Sequence, residues 1–316
     1  MVEAPFLPAA EGRPDDRRGL GYLMIAIAAT LFAVNGTVSK VVLGSGLDSL
    51  ELAQIRSTGA AAGLLVFLVL FARARLRVSR RELLVLVVFG ITGVALVQWL
   101  YFVAIKHLPV GIALLIQFLA PLFVALFARF VYHEVIRRRI WVALALCILG
   151  LAVIVELWGG LAFSTVGITA ALVASFALTA YILLAEHERR DRDPVSLSFY
   201  GFLFAALFWA LVQPIWQFPW GVLGDAVSLQ GNLEEHTAPV WLLVAFIIVF
   251  GTMITFSLLT GALRHIPATR ASIVATLEPV IATVVAWLWL GETFGTAQLI
   301  GGAVVLTGIL LAQTAR

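Results

Sequence analysis

The sequence predicts an all-α integral membrane protein in which ten transmembrane helices form two inverted five-helix repeats. Hydrophobic residues make up 62% of the chain and charged residues only 12%, whereas soluble domains are about half apolar and a quarter charged. The segment 106–155 also recurs weakly as 264–313, and arginines cluster in alternate loops. The composition thus predicts membrane helices, the recurrence predicts a duplication, and the arginines predict the orientation of each half.

Ten apolar runs are long enough to cross a hydrocarbon core of ~30 Å at ~1.5 Å per helical residue. They lie at about 20–43, 50–71, 83–104, 109–131 and 140–156, and then at about 164–186, 195–213, 240–262, 267–290 and 296–314. The first repeat is predicted to span 20–156 and the second 164–314, after a polar tail at 1–19. The first run is too long for a secretory signal, so we interpret it as a transmembrane helix.

Residues that change the backbone or carry a charge recur 158 positions apart. The matched pairs are His107 and His265, Pro109 and Pro267, Ala113 and Ala271, Pro121 and Pro279, Glu134 and Glu292, and Gly150 and Gly308. Duplicated units of this kind are common in secondary transporters. Because each repeat holds an odd number of spans, the second repeat must run antiparallel to the first.

The basic residues predict which loops face the cytoplasm, because cytoplasmic loops carry an excess of lysine and arginine. The clusters comprise Arg13, Arg17, Arg18, Arg73, Arg75, Arg77, Arg80, Arg81, Arg137, Arg138, Arg139, Arg189, Arg190, Arg192, Arg264 and Arg270. They lie before span 1 and after spans 2, 4, 6 and 8, so both termini are predicted to be cytoplasmic. The long loop 214–239 is then external, as a lid or, as we favour, as an interfacial helix anchored by Trp216 and Trp220.

Two charged residues inside predicted spans are candidates for substrate binding or coupling, since a charge near the bilayer midplane costs at least ~2.5 kcal/mol. Glu278 lies deepest and directly precedes Pro279, whose ring removes a backbone donor and frees a carbonyl one turn earlier. Glu278 is a candidate proton-coupling group, with structural pairing between helices as the alternative. Arg56 is a candidate for binding a substrate carboxylate through two parallel hydrogen bonds, with snorkelling or an interhelical pair as the alternative.

Uncharged residues near the same depth complete the predicted site. Asn35, Gln98 and Gln117 could bind a polar substrate, although amides between membrane helices often serve packing. Trp99 and Tyr101 follow Gln98 near the external end of span 3. They are expected either to belong to the interfacial aromatic belt or to contact the substrate.

Other polar or helix-breaking residues are expected to shape or anchor the helices. Pro121 and Pro279 are predicted to kink one helix in each half, either as hinges or as fixed packing geometry. Lys40 is expected to snorkel to the external surface. Glu134 and Glu292 lie at span ends, where a helix-start or loop role is expected.

Several functions are disfavoured by what the sequence lacks. Cys147 is the only cysteine, so we expect a small core residue and neither a disulfide nor a thiolate metal site. His107 and His265 are predicted in opposite leaflets and cannot share a metal. His133 and Glu134 lack the second histidine of the zinc-protease motif, and the phosphate-loop and nucleophile-elbow motifs are missing. We therefore expect no enzyme, no metal or other cofactor, and no nucleic-acid partner.

The stretch 251–311 contains Ala262-Leu263-Arg264, Leu277-Glu278-Pro279-Val280, Leu290-Gly291-Glu292 and Gly301-Gly302. With these motifs it resembles the second repeat of the EamA family, in the drug/metabolite transporter superfamily. Pro121, Glu134 and Gly150 supply the matching residues of the first repeat, and Arg56 lies where many members carry an arginine. The resemblance implies a ten-helix inner-membrane carrier that exports amino acids or other small metabolites, often coupled to protons.

The chain departs from that family pattern in two places. Ala120 stands in the first repeat where the second has Glu278, and the loop after span 7 is longer than expected. The predicted function is nevertheless export of a small molecule across the lipid bilayer by alternating access to a central site, with protons as a candidate coupling ion. A channel-like passive facilitator, or a membrane sensor or scaffold that does not transport, stays open as an alternative.

Overall fold

The computed structural model describes residues 18–314 except 77, 132, 134–137, 155, 157–162, 189–192, 263–264, 267–270 and 272–273. Among the residues discussed above, Glu134, Pro267 and several loop arginines lie outside the described part, as does nearly all of the predicted tail 1–19. The described residues are almost entirely helical, which agrees with the predicted fold class.

Thirteen α-helices follow one another along the described chain. They are α1 (Arg18–Leu43), α2 (Ser49–Phe71), α3 (Arg80–Val88), α4 (Leu96–His107), α5 (Val110–Gln117), α6 (Ala120–Phe130), α7 (Arg138–Ile154), α8 (Thr165–Glu188), α9 (Pro194–Val212), α10 (Val240–Ile248), α11 (Thr255–Ala262), α12 (Leu277–Leu290) and α13 (Thr296–Thr314). A π-helical segment, Phe89–Ala95, joins α3 to α4, and a second one, Val249–Ile254, joins α10 to α11.

Eight helical stretches of the described chain are long and apolar enough to cross a membrane. They are Arg18–Leu43, Ser49–Phe71, Glu82–His107, Val110–Phe127, Thr165–Leu184, Val195–Val212, Val240–Leu259 and Thr296–Thr314. These stretches coincide with eight predicted spans, so the chain is a multi-pass membrane protein. The predicted run 140–156 corresponds to α7, which has 17 residues. The run 267–290 is described only in part, and α12 forms its C-terminal portion. A total of ten spans therefore stays a prediction.

The two prolines predicted to kink helices follow breaks in helical structure. Pro121 lies in the first turn of α6, after a turn at residues 118–119 that ends α5. Pro279 lies in the first turn of α12, whose N-cap is Thr276. Proline is tolerated in a first helical turn because backbone donors there have no partner within the helix.

Helices from the two predicted halves pack against one another rather than forming separate bundles. The helix α1 packs on α11 and α12, α2 on α9, α4 on α8, and α7 on α13. The contact of α7 with α13 depends on small residues, since a Cβ atom added at Gly150 would lie 2.8 Å from the carbonyl oxygen of Gly301. Cys147 is buried at this crossing, as expected of a small core residue.

The loop 214–239 does not form the predicted interfacial helix, so that interpretation is wrong. It contains short 3₁₀ turns and an antiparallel hairpin of β1 (Ala226–Ser228) and β2 (Thr237–Pro239). Prolines and glycines recur through this segment and cannot sustain a regular helix. Trp216 and Trp220 are 79% and 53% exposed.

The hairpin packs on the C-terminal end of α12. Asn232 Nδ2 donates a hydrogen bond to the carbonyl oxygen of Leu288 at 3.1 Å, and Trp289 Nε1 donates one to that of Leu229 at 2.8 Å. Gly231 has a positive φ of 55° and lies directly against the backbone of Leu290, an approach that a side chain would block. We call this side of the bundle the hairpin end.

Candidate functional site

A cavity of about 260 Å³ lies between the helices, and six of the seven predicted binding or coupling residues line it. They are Asn35, Arg56, Gln98, Tyr101, Gln117 and Glu278. The seventh, Trp99, does not line it and packs on Trp209 with ring centroids 6.0 Å apart. The cavity therefore collects polar groups from α1, α2, α4 and α5 of the first predicted repeat and from α12 of the second.

Six of the remaining lining residues are aromatic, and sequence reasoning did not single them out. The residues are Phe32, Phe89, Phe118, Tyr181, Phe202 and Phe256. Phenylalanine is so frequent in this chain, with 21 copies, that its sequence position carries no signal to separate the cavity from the lipid-facing surface. The few charged groups thus lie in largely apolar surroundings.

Arg56 is held in a fixed position at the wall of the cavity. Its Nε donates a hydrogen bond to Thr252 Oγ1 at 2.9 Å, and its Nη2 donates one to the carbonyl oxygen of Gly251 at 3.2 Å. Its guanidinium also lies 5.7 Å from the ring centroid of Phe102, within cation–π range. Among the described residues, Nη1 of Arg56 has no hydrogen-bond partner. Arg56 therefore forms an interhelical contact and still lines the cavity.

Glu278 faces the same cavity from the first turn of α12. Among the described residues it accepts no hydrogen bond, and it is not ion-paired with Arg56. An acid and a base thus line one cavity without a direct ion pair between them in the described structure, which leaves space for a solute that carries both charges.

The three amides predicted at the site are buried but unpartnered. Asn35, Gln98 and Gln117 are 3%, 8% and 8% exposed, and their side-chain carbonyl oxygens have no hydrogen-bond partner in the described structure. Leaving a buried polar group unpaired costs about 1–3 kcal/mol, so these groups are suited to bind water or a polar solute. They do not form the interhelical hydrogen bonds expected if they served only packing.

Tyr101 reaches the cavity past a glycine in α1. A Cβ atom added at Gly36 would lie 2.5 Å from the Tyr101 hydroxyl oxygen and 2.8 Å from a methyl group of Val110. Gly36 therefore permits the ring to enter from α4. Tyr101 is 8% exposed, so it belongs to the interior and not to an interfacial aromatic belt.

A second contact between charged residues lies at the hairpin end. Lys40 Nζ donates hydrogen bonds to Glu292 Oε1 at 2.6 Å and to the carbonyl oxygen of Leu108 at 2.9 Å. Glu292 Oε2 accepts a hydrogen bond from the backbone N–H of Val110 at 3.1 Å, at the first residue of α5. The expected snorkelling of Lys40 is therefore wrong, because a carboxylate lies within reach. Glu292 has the expected helix-start role, but at a helix 182 residues away.

The chain matches the model of the EamA-like transporter family over residues 19–156 and 165–314. It is 28% identical to an uncharacterized transporter of Archaeoglobus fulgidus over 292 residues, which cover 92% of this chain and 96% of the relative. It is 28% identical to the threonine/homoserine exporter RhtA of Escherichia coli K12 over 261 residues, which cover 81% of this chain and 80% of the relative.

The pseudopaline exporter CntI of Pseudomonas aeruginosa is 26% identical over 303 residues, which cover 93% of this chain and 96% of the relative. One crystal structure shares the fold, with a TM-score of 0.60 and 20% identity over 93% of this chain and 96% of that chain. Because the family model covers almost the whole sequence, this chain belongs to the EamA-like transporter family.

Proposed function

We propose that this chain is a secondary transporter of the inner membrane that exports small amino acids or similar zwitterionic metabolites by alternating access. The observation that carries this proposal is the cavity in which Arg56 and Glu278 face the same space without forming an ion pair. Unlike charges about 4 Å apart attract by about 4 kcal/mol at an effective dielectric constant near 20. A solute with an anionic group near Arg56 and a cationic group near Glu278 is therefore stabilised by both attractions.

The roles of the lining residues follow from their chemistry. The Nη1 group of Arg56, free of protein partners in the described chain, would bind a substrate carboxylate. Glu278 and the amide oxygens of Asn35, Gln98 and Gln117 would accept hydrogen bonds from a substrate ammonium group. Because RhtA is named as an exporter of threonine and homoserine, an amino-acid substrate also agrees with a relative.

Glu278 would couple export to protons by exchanging them with the substrate. A carboxylate that binds either an ammonium group or a proton cannot bind both, so each excludes the other from the site. Protonation on one side of the membrane and deprotonation on the other would then drive substrate in the opposite direction to protons.

We also infer ten membrane helices in two inverted repeats, 20–156 and 164–314, with both termini in the cytoplasm. Irregular features recur in both halves and support this arrangement. The π-helical segments Phe89–Ala95 and Val249–Ile254 are nearly 158 residues apart. Cys147 Sγ contacts the carbonyl oxygen of Val305, and the two residues are one repeat spacing of 158 apart. Such a contact between equivalent positions is expected where two equivalent helices cross on a pseudo-twofold axis. Pro121 and Pro279 would be the hinges of the two halves.

A carrier is favoured over a passive channel because charged contacts join helices at one end of the bundle. The contact among Lys40, Glu292 and the start of α5 joins three helices at the hairpin end, and a continuous pore would require that contact to be open. Alternating access instead requires it to open only when the other end is closed.

The proposal is tested with purified protein in liposomes by counterflow of radiolabelled L-threonine and by efflux driven by a pH gradient. Glu278→Gln is expected to abolish the response to the pH gradient, and Arg56→Ala to lower threonine affinity at least tenfold. Glu234→Gln, on the exposed hairpin loop, is the matched control and should behave as wild type. Wild-type flux that does not saturate and shows no counterflow would favour a channel. Unchanged flux and proton dependence in Glu278→Gln would disprove the coupling role.

A further inference from the structure

The second π-helical segment, Val249–Ile254, presents two consecutive residues to Arg56. Thr252 is fully buried, and its hydroxyl donates a hydrogen bond to the carbonyl oxygen of Ile247 at 3.0 Å while accepting one from Arg56 Nε at 2.9 Å. The carbonyl oxygen of Gly251 accepts the bond from Nη2. A π-helical turn shifts the backbone hydrogen bonds by one residue, which makes such groups available to a side chain from another helix.

Gly251 is needed for this arrangement because the adjacent helix comes very close. A Cβ atom at this position would overlap the side-chain oxygen of Asn35. Arg56, Asn35 and the π-helical segment therefore meet at one point, directly at the wall of the cavity. Thr252 itself is not among the cavity-lining residues, so it acts on the site only through Arg56.

The hydrogen bonds of Arg56 also explain why two opposite charges in one cavity do not form an ion pair. Arg56 and Glu278 have opposite charges and line one cavity whose surface is mostly apolar. Arginine has a long flexible side chain, and attraction between charges is strong where water is scarce. A guanidinium free to swing would pair with Glu278 and occupy the space that the substrate needs. In the structure the guanidinium is instead held by Thr252, Gly251 and the ring of Phe102.

We propose that Thr252 is a positioning residue that holds Arg56 away from Glu278, so that both charges stay available to a zwitterionic substrate. This inference rests on the proposed function, because it assumes that both charges bind the transported molecule. The π-helical segment Val249–Ile254, which joins α10 to α11, would thus prevent an ion pair between Arg56 and Glu278 in the empty site.

The variant that tests this role is Thr252→Val, which keeps the shape of the side chain and removes the hydroxyl. We expect it to raise the KM for L-threonine counterflow about tenfold with a maximal rate within twofold of wild type. Thr252→Ser, which restores the hydroxyl, should return the KM to within twofold of wild type. Thr255→Val is the matched control. Thr255 is in the adjoining turn and is equally buried, and among the described residues its hydroxyl donates only to the carbonyl oxygen of Phe250. The KM of this variant should therefore not change.

A second measurement needs no substrate and reports the ion pair itself. Glu278→Gln in the wild-type background removes a half-buried carboxylate that has no direct partner in the described structure, so the Tm of the detergent-solubilised protein should rise or stay the same. In the Thr252→Val background, Arg56 is expected to have paired with Glu278, so Glu278→Gln should lower the Tm. This change of sign is the signature of the proposed role, because a merely structural threonine would not produce it.

The outcomes separate this inference from the proposed function. Normal threonine counterflow in Arg56→Ala would overturn the proposed function, while the change of sign in Tm would still show that Thr252 keeps the two charges apart. Reduced counterflow in Arg56→Ala together with an unchanged KM in Thr252→Val would overturn the inference and leave the function standing. Equal Tm effects of Glu278→Gln in both backgrounds would overturn it as well, even if the KM rose, because Thr252 would then act through packing alone.

Discussion

The ion pair between Lys40 and Glu292 ties the end of α1 to the start of α5, and Lys40→Met is expected to lower the free energy of unfolding by about 2 kcal/mol. The two charged atoms are 2.6 Å apart, and the side chains are 24% and 12% exposed. Exposed ion pairs contribute about 0–1 kcal/mol, whereas removing one partner from a buried pair costs about 3–5 kcal/mol. Partial burial places this pair between those limits.

The two partners are not expected to be equivalent. Glu292→Gln removes the charge but keeps an oxygen that can accept the hydrogen bond from the backbone N–H of Val110. This variant should therefore cost only about 1 kcal/mol, since one neutral hydrogen bond at α5 is retained. Lys40→Met leaves the Glu292 carboxylate with one partner among the described residues, the backbone N–H at the start of α5. A helix N-terminus stabilises such a charge by about 0.3–1 kcal/mol.

A double-mutant cycle in detergent, with unfolding followed in increasing sodium dodecyl sulfate, measures the coupling directly. The double variant should lose about 1 kcal/mol less than the sum of the single variants, because contacting residues are not independent. Lys106→Met is the control, since Lys106 is an exposed lysine at the same end of the bundle, and it should stay within about 0.5 kcal/mol of wild type. Strict additivity, or a Lys40→Met effect no larger than that of the control, would refute this reasoning.

Two glycine variants compare a tightly packed position with an open one, and a third variant tests the hairpin. Gly308→Val should destabilise the protein by about 1–3 kcal/mol, because its Cβ would lie 2.6 Å from Cys147 Sγ. Gly221→Val, with open space around it, should have little effect in the same thermal-unfolding assay. Asn232→Ala removes the hydrogen bond to Leu288 at the end of α12, so amide hydrogens of the hairpin should exchange faster with deuterium while the Tm changes little. Unchanged exchange would mean that the hairpin is held by other contacts.

The membrane helices could be predicted because hydropathy is a local property of the sequence. The predicted run 50–71 begins within one residue of α2, whose N-terminus carries a capping box formed by Asp48 and Glu51. The run 267–290 is described only in part, and there Ala271, Val274, Ala275 and then Leu277–Leu290 are helical, with a turn at Thr276. Pro279 follows that turn, in the first turn of α12, and a hydropathy profile does not register such a break.

The sequence could predict individual residues of the candidate site but not the contacts between them. A charge or amide inside an apolar run is visible in the sequence, which is why Arg56, Glu278 and Asn35 could be named. Their partners could not be named, because Thr252 lies 196 residues from Arg56 and looks like any threonine in a membrane helix. The hydrogen bonds of Lys40 were missed for the same reason, as Glu292 is 252 residues away.

The positions 120 and 278 show why the two halves of this chain cannot have identical roles. Both precede a proline that follows a break between helices, so the backbone geometry recurs. Ala120, however, is completely buried, and its carbonyl oxygen accepts a hydrogen bond from Thr179 Oγ1 at 3.3 Å. A second carboxylate at that position would be buried without a cation, a costly state. The recurring break therefore gives a similar backbone geometry in each half, but among the described residues only the break at Glu278 brings a carboxylate to the cavity. The proposed exchange of protons for substrate would therefore depend on that one carboxylate.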